Sequence, residues 1–174
     1  MLYDAPEHLK SIINRFVEKS GVKEPLSVKI QTNLPPSRGL GSSAAVAVAF
    51  VRASYDFMDQ PLDDKTLIKE ANWAEQIAHG KPSGIDTQTI VSNKPVWFKQ
   101  GQAETLKSLK LNGYMVVIDT GVKGSTKQAV EDVHVLCESD EYMKYIEHIG
   151  TLVHSASESI EPVSYTHLTL PTTP

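Results

Sequence analysis

The stretch Pro35-Pro-Ser-Arg-Gly-Leu-Gly-Ser-Ser-Ala-Ala45 constrains this chain more than any other. Two prolines and two glycines forbid regular structure on its first half, and the small residues after Ser42 favour a helix. Glycines at 39 and 41 lack a Cβ, so the backbone can take positive φ and approach a ligand closely. Before it, Leu26-Ser-Val-Lys-Ile-Gln-Thr32 alternates apolar and polar residues, which predicts a half-buried strand. The result is a strand, loop, helix unit, with a serine expected as N-cap of the helix running to Met58. The amides of such a helix start are unpaired and its dipole attracts anions, so successive loop N–H groups can form a phosphate nest. Small residues at 44, 45, 47 and 49 would let that helix pack tightly. No Gly-x4-Gly-Lys-Ser/Thr is present, which argues against a P-loop.

A second constellation runs from Ala71 to Asp86. On a helix predicted from about Asp63 to His79, Leu67, Ile68, Ala71, Ala74 and Ala78 form one apolar stripe, with Glu75 at its edge. A buried carboxylate needs a cation, hydrogen bonds or a metal, so Glu75 is either solvent-bordering or functional, and the residues alone favour the solvated edge. Asn72 and His79 fall one turn before and one turn after it. The loop Gly80-Lys-Pro-Ser-Gly84 then returns the chain to bring Asp86 nearby. Asp86 is either a helix N-cap or half of a carboxylate pair. Two carboxylates at a phosphate nest suit phosphoryl transfer, one holding Mg²⁺ and the other orienting or deprotonating an attacking hydroxyl.

Elsewhere, residues 6 to 20 read as an amphipathic helix stopped at Gly21, Pro95 to Phe98 and Tyr114 to Asp119 as strands, and Lys123 to Cys137 and Glu141 to Ile160 as helices. No internal repeat is visible. Val163 to Pro174 carries four Thr and two Pro, no Asp, Glu, Lys or Arg and no periodicity, and reads as a non-native tail outside the fold. The 174 residues bear a formal charge of −4, are 40% hydrophobic and 22% charged, and have no long basic cluster, which argues against a nucleic-acid or membrane-surface partner. No apolar run approaches the ~20 residues that span a bilayer. The lone Cys137 excludes an internal disulfide, fits a cytoplasmic setting, and reads as an inert semi-buried thiol. His8, His134, His148, His154 and His167 show no metal-ligand spacing and read as structural or solvated.

Pro35 to Ala45 resembles the phosphate-binding motif of the GHMP small-molecule kinases. Glu75 with His79-Gly-Lys-Pro-Ser-Gly-Ile-Asp86 is similar to the next block in their mevalonate-phosphorylating branch, in its short bacterial form. The resemblance covers residues 1 to about 161. It implies an α+β fold: a ribosomal-protein-like N-terminal domain with a left-handed β-α-β crossover, a handedness general rules would not suggest, followed by a ferredoxin-like domain. The implied organisation is a partial N-terminal domain over 1–112, the start of the second over 113–162, and the tail over 163–174. By the same similarity Pro36, Gly39, Leu40, Gly41, Ser42 and Ser43 would bind ATP phosphates, Ser43 and Glu75 would ligate Mg²⁺, Asp86 would be the base, and Ser83 and Thr126 would line the mevalonate site.

The implied reaction is transfer of phosphate from ATP to the primary hydroxyl of (R)-mevalonate, giving 5-phosphomevalonate for isoprenoid precursor synthesis, in an enzyme for which a homodimer is compatible. The chain lacks the family's opening strand with its Lys and Gly-Glu-His element and its later Gly-rich loop. Met1 is therefore expected to be an internal methionine and the chain a fragment with little or no kinase activity. The alternatives are another member of the family, a phosphomevalonate or homoserine kinase, or a non-catalytic phosphate-binding domain.

Overall fold

A computed structural model describes residues 6–36, 38–80, 82–99, 101–106, 114, 116–122 and 124–160. The described elements are α1 (Glu7–Ser20), α2 (Ser42–Phe57), α3 (Asp64–His79), α4 (Ile85–Ser92), β1 (Val96–Lys99), β2 (Gln102–Thr105), α5 (Thr126–Leu136) and α6 (Asp140–Ile160).

Helix α1 buries Leu9, Ile12, Ile13 and Phe16, the 3–4 residue spacing of one helical face. Gly21 ends it in the left-handed conformation at φ 64°, its N–H donating to the Val17 carbonyl. Helix α3 starts where the Asp63 carboxylate accepts from the Thr66 amide at 2.7 Å, and it contributes Leu67, Ala71 and Ala74 to the core. Helix α2 supplies Ala47, Val48 and Val51, and α4 adds Val91. The alanines let α2 and α3 approach closely, so the core is a layer of small side chains with the larger residues of α1 against it. Glu70 ties the outer side of this layer together. Its carboxylate accepts from Arg15 Nε at 3.0 Å and Lys19 Nζ at 2.5 Å, and the Arg15 guanidinium stacks 4.7 Å from the Trp73 ring.

Strands β1 and β2 form an antiparallel pair, Val96 opposite Thr105 and Lys99 opposite Gln102. The mixture of helices with a small antiparallel sheet agrees with the expected α+β class. The β1 strand and the helices expected from 6, 42, 63, 123 and 141 onward form within a few residues of their anticipated bounds, and β2 was not anticipated.

Two expected strands do not form. Residues 26–32 are irregular, with Leu26, Val28 and Ile30 each 40% exposed. The described part of 114–119 is likewise irregular, and Tyr114, Val116, Val117 and Ile118 are all exposed. An alternating or β-branched pattern supplies faces but not hydrogen bonds, and among the described residues neither segment has a paired neighbour to satisfy its backbone. The one described sheet is the β1–β2 pair, so no β-α-β crossover occurs among the described residues.

The expected serine cap is also absent. Gly41 holds the cap position of α2 at φ 64° with no side-chain cap bond, because the left-handed turn takes the chain into the helix directly. The hydroxyls of Ser42 and Ser43 are thus left for other uses. The core residues all lie between Leu9 and Val91, whereas most of α5 and α6 is exposed. Among the described residues no helix is long and apolar enough to cross a membrane.

Candidate active site

The start of α2, the last turns of α3 and the first turn of α4 converge. Because capping does not consume it, the Ser43 hydroxyl reaches across to α3 and donates to Glu75 Oε1 at 2.6 Å. Glu75 is 5% exposed. The solvated-edge reading of this residue is therefore overturned: tight α2–α3 packing carries the edge of the apolar stripe into the interior, and the carboxylate is compensated there by a hydrogen bond. Its other oxygen lies 3.6 Å from His79 Nε2, one turn on.

His8 completes the cluster from α1, its Nε2 lying 3.4 Å from Ser43 Oγ. Burial pushes the His8 pKa down, with the Glu75 carboxylate opposing the shift and His79 reinforcing it. Burial thus favours the neutral form of His8. From its sequence position His8 reads as structural or solvated. It lies 35 residues from Ser43, and no spacing rule links them.

Asp86 enters from α4. Gly84, at φ 85°, is the N-cap of that helix, and the Ser83 hydroxyl accepts from the Ile85 amide at 3.3 Å. Asp86 is a residue of the first turn and not a cap, so the capping alternative does not hold. Its side chain packs on the α2 start: a Cβ built on Gly41 would lie 3.8 Å from Asp86 Cγ. That distance is ordinary contact, so Gly41 is required for its positive φ and not for space.

Asn72, Glu75, His79, Ser83, Asp86 and Thr87 line one cavity of about 500 Å³, which Val130 and Glu131 of α5 also border. The structure thus brings Ser83, Glu75 and Asp86 to one cavity and sets Ser43 and Gly41 against its two carboxylates. Pro36 and Leu40 are exposed, and Leu40 and Gly39 border a different cavity of about 480 Å³ together with Arg38 and residues of 117–125. Arg38 there pairs with Asp119 at 3.3 Å. Thr126 opens α5, and its side chain lies outside the described residues. Of the remaining residues set aside from the sequence, Cys137 is the half-buried C-cap of α5, and the His154 ring lies 6.4 Å from that of Trp97.

The family model for the GHMP kinases N terminal domain matches residues 7–93, the segment that holds the core, the glycine loop, Glu75 and Asp86. The chain belongs to the GHMP kinase family. Among relatives of this GHMP kinase chain, the mevalonate kinase of Pyrococcus abyssi is 33% identical over 155 residues, covering 88% of the chain and 46% of the relative. The mevalonate kinase of Aeropyrum pernix is 36% identical over 117 residues, 67% of the chain and 36% of the relative. A crystal structure of mevalonate kinase from methicillin-resistant Staphylococcus aureus superimposes with a TM-score of 0.72 at 63% identity, covering 95% of this chain and 52% of that one. The chain spans about half the length of the relatives it matches. The structural match is to a bacterial enzyme, in line with the expected likeness to bacterial members.

Proposed function

We propose that this chain supplies the phosphate-binding and acceptor-activating part of an ATP-dependent mevalonate kinase, which transfers the terminal phosphate of ATP to the primary hydroxyl of (R)-mevalonate. The observation that carries the reading is the junction at the start of α2, where Ser43 bonds the buried Glu75 and Asp86 packs on Gly41. Relatives named mevalonate kinase, over this same stretch, favour mevalonate as the acceptor.

In this proposal the loop and first turn from Pro36 to Ser43, with Gly39, Leu40, Gly41 and Ser42, receive the ATP phosphates on backbone amides. Asp86 takes the proton of the attacking hydroxyl, and Ser83 and Thr126 border the mevalonate. Ser43 and Glu75 are hard oxygen donors, which fits Mg²⁺, a cation usually bound through one or two carboxylates together with phosphates and water. Among the described residues no group of three metal-ligating acidic, His or Cys side chains exists, so these two would hold the ion jointly with nucleotide oxygens. Bound there, Mg²⁺ would neutralise charge developing on the transferred phosphate. His79 and His8 steady the pair from either side. We further propose that residues 1–112 belong to the N-terminal domain of this kinase and that 113–162, with α5 and α6, begin its second domain.

The test is ADP release by the full-length kinase carrying these residues, with mevalonate, homoserine and 5-phosphomevalonate offered in turn. Mevalonate alone is expected to support turnover. Preferential use of either other compound overturns the acceptor assignment, and turnover unaffected by Asp86→Asn overturns the site. The 174-residue chain by itself is expected to show little or no turnover, since catalysis here is positioning and charge stabilisation by groups gathered from a whole enzyme.

A further inference from the structure

Asn72, half-buried on α3 three residues before Glu75, borders the same cavity as Asp86 and Ser83. Its Oδ1 is buried and has no hydrogen-bond partner. Native proteins leave few such atoms, because an unsatisfied buried acceptor costs stability with nothing in return from the fold. The α4 turn is pressed against this amide: a Cβ on Gly84 would come within 3.3 Å of Asn72 Nδ2, closer than a side chain tolerates without displacement. The site therefore keeps an uncommitted carboxamide beside the cavity and keeps glycine where any larger residue would crowd it. The two ends of an amide have nearly the same shape, so a half-turn about χ2, accompanied by a small yielding of the neighbouring turn, would exchange them and present Oδ1 to a ligand.

We infer that Asn72 is a specificity-determining residue for the acceptor alcohol, its Oδ1 accepting a hydrogen bond from a second hydroxyl of the substrate, remote from the one that reacts at Asp86. The inference rests on the proposed kinase reading and adds to it the residue that would contact the acceptor's second hydroxyl. A neutral amide suits this task because it recognises a hydroxyl without adding charge beside two carboxylates.

The experiment compares mevalonate with the analogue lacking its 3-hydroxyl in the full-length kinase, in unsubstituted, Asn72→Leu and Asn72→Ala forms, with Asp86→Asn as a parallel control. A neutral hydrogen bond corresponds to about a tenfold effect. Asn72→Leu should raise KM for mevalonate roughly tenfold while leaving KM for the deoxy analogue within about twofold, and the unfolding midpoint should hold or rise, since an unpaired buried polar atom has been removed. Equal KM changes for both acceptors, no change for either, or loss of folding in both Asn72 variants overturns the inference. If Asp86→Asn is inactive and Asn72→Leu shows no selective loss, only this inference fails. If Asp86→Asn turns over normally, the underlying kinase reading fails.

Discussion

Ser43 Oγ donates to Glu75 Oε1 across 2.6 Å, joining the first turn of α2 to α3 over 32 residues of sequence. Glu75 is buried, so this bond is part of what makes a carboxylate tolerable there. Ser43→Ala leaves that oxygen without its donor and should lower unfolding free energy by about 1–3 kcal/mol, read from urea midpoints. Glu75→Gln keeps the shape and removes the charge, so its stability loss should be smaller. In the full-length kinase both substitutions should reduce kcat by roughly 10²–10³-fold, the scale of losing one preorganised electrostatic group. A Ser43→Ala protein with normal stability and turnover would show that the junction is idle.

Asp86 lies beside the glycine loop, its Cγ 3.8 Å from where a Cβ on Gly41 would stand. As the base in the proposed reaction, its replacement by Asn should reduce kcat by about 10²–10⁴-fold. Nucleotide affinity should change little, because the loop amides are untouched. Stopped turnover alongside a titration with a fluorescent ATP analogue separates the two effects. Weakened nucleotide binding with normal turnover would contradict the assignment.

The Glu70 cluster makes a prediction about pH and stability. Burial opposes ionisation of Glu70, but the Arg15 and Lys19 hydrogen bonds and charges outweigh it, and the folded pKa lies below the ordinary 4.5. A carboxyl with a lowered folded pKa stabilises the fold fully above its unfolded value, and that contribution disappears as pH falls through the folded one. Glu70→Gln should therefore cost about 1.5–3 kcal/mol at pH 7, the range for hydrogen bonds to charged groups. The difference from the unsubstituted chain should shrink below pH 4.5. Parallel denaturation curves across that range check it, and a constant difference would refute it.

Residues 116–118 present three exposed β-branched side chains with Tyr114 beside them. An unpaired apolar segment of this kind templates intermolecular pairing. Val117→Lys should reduce light scattering of concentrated chain on standing while leaving the unfolding midpoint unchanged, since the side chain is 71% exposed. Unaltered scattering would exclude the segment as the source of association.

The helices were legible from local patterns. The spacing of Leu9, Ile12, Ile13 and Phe16 and the stop at Gly21 are properties of one turn and its neighbours, as is the Asp63 cap on Thr66. The glycine loop and the Glu75 to Asp86 block are short contiguous motifs, and it was their resemblance to those of the GHMP kinases that pointed to the family. The strands expected at 26–32 and over the described part of 114–119 do not form, because a strand is completed by a partner that its own residues do not specify. The serine cap was misread because Gly41 adopts a left-handed turn that leaves the hydroxyl free.

The resemblance of two short motifs to those of a known kinase family pointed to that family and put forward Ser43, Glu75 and Asp86 as its expected site residues. The motifs could not say whether Glu75 faced water, whether Asp86 capped a helix, or that His8 and Asn72 belonged to the same region. Those outcomes depend on how closely α2 and α3 pack and where the Gly84 turn presses, which are relations between elements far apart in the chain. Helix periodicity and turn chemistry act over a few residues, whereas burial and hydrogen-bond partnership are set only when distant surfaces meet.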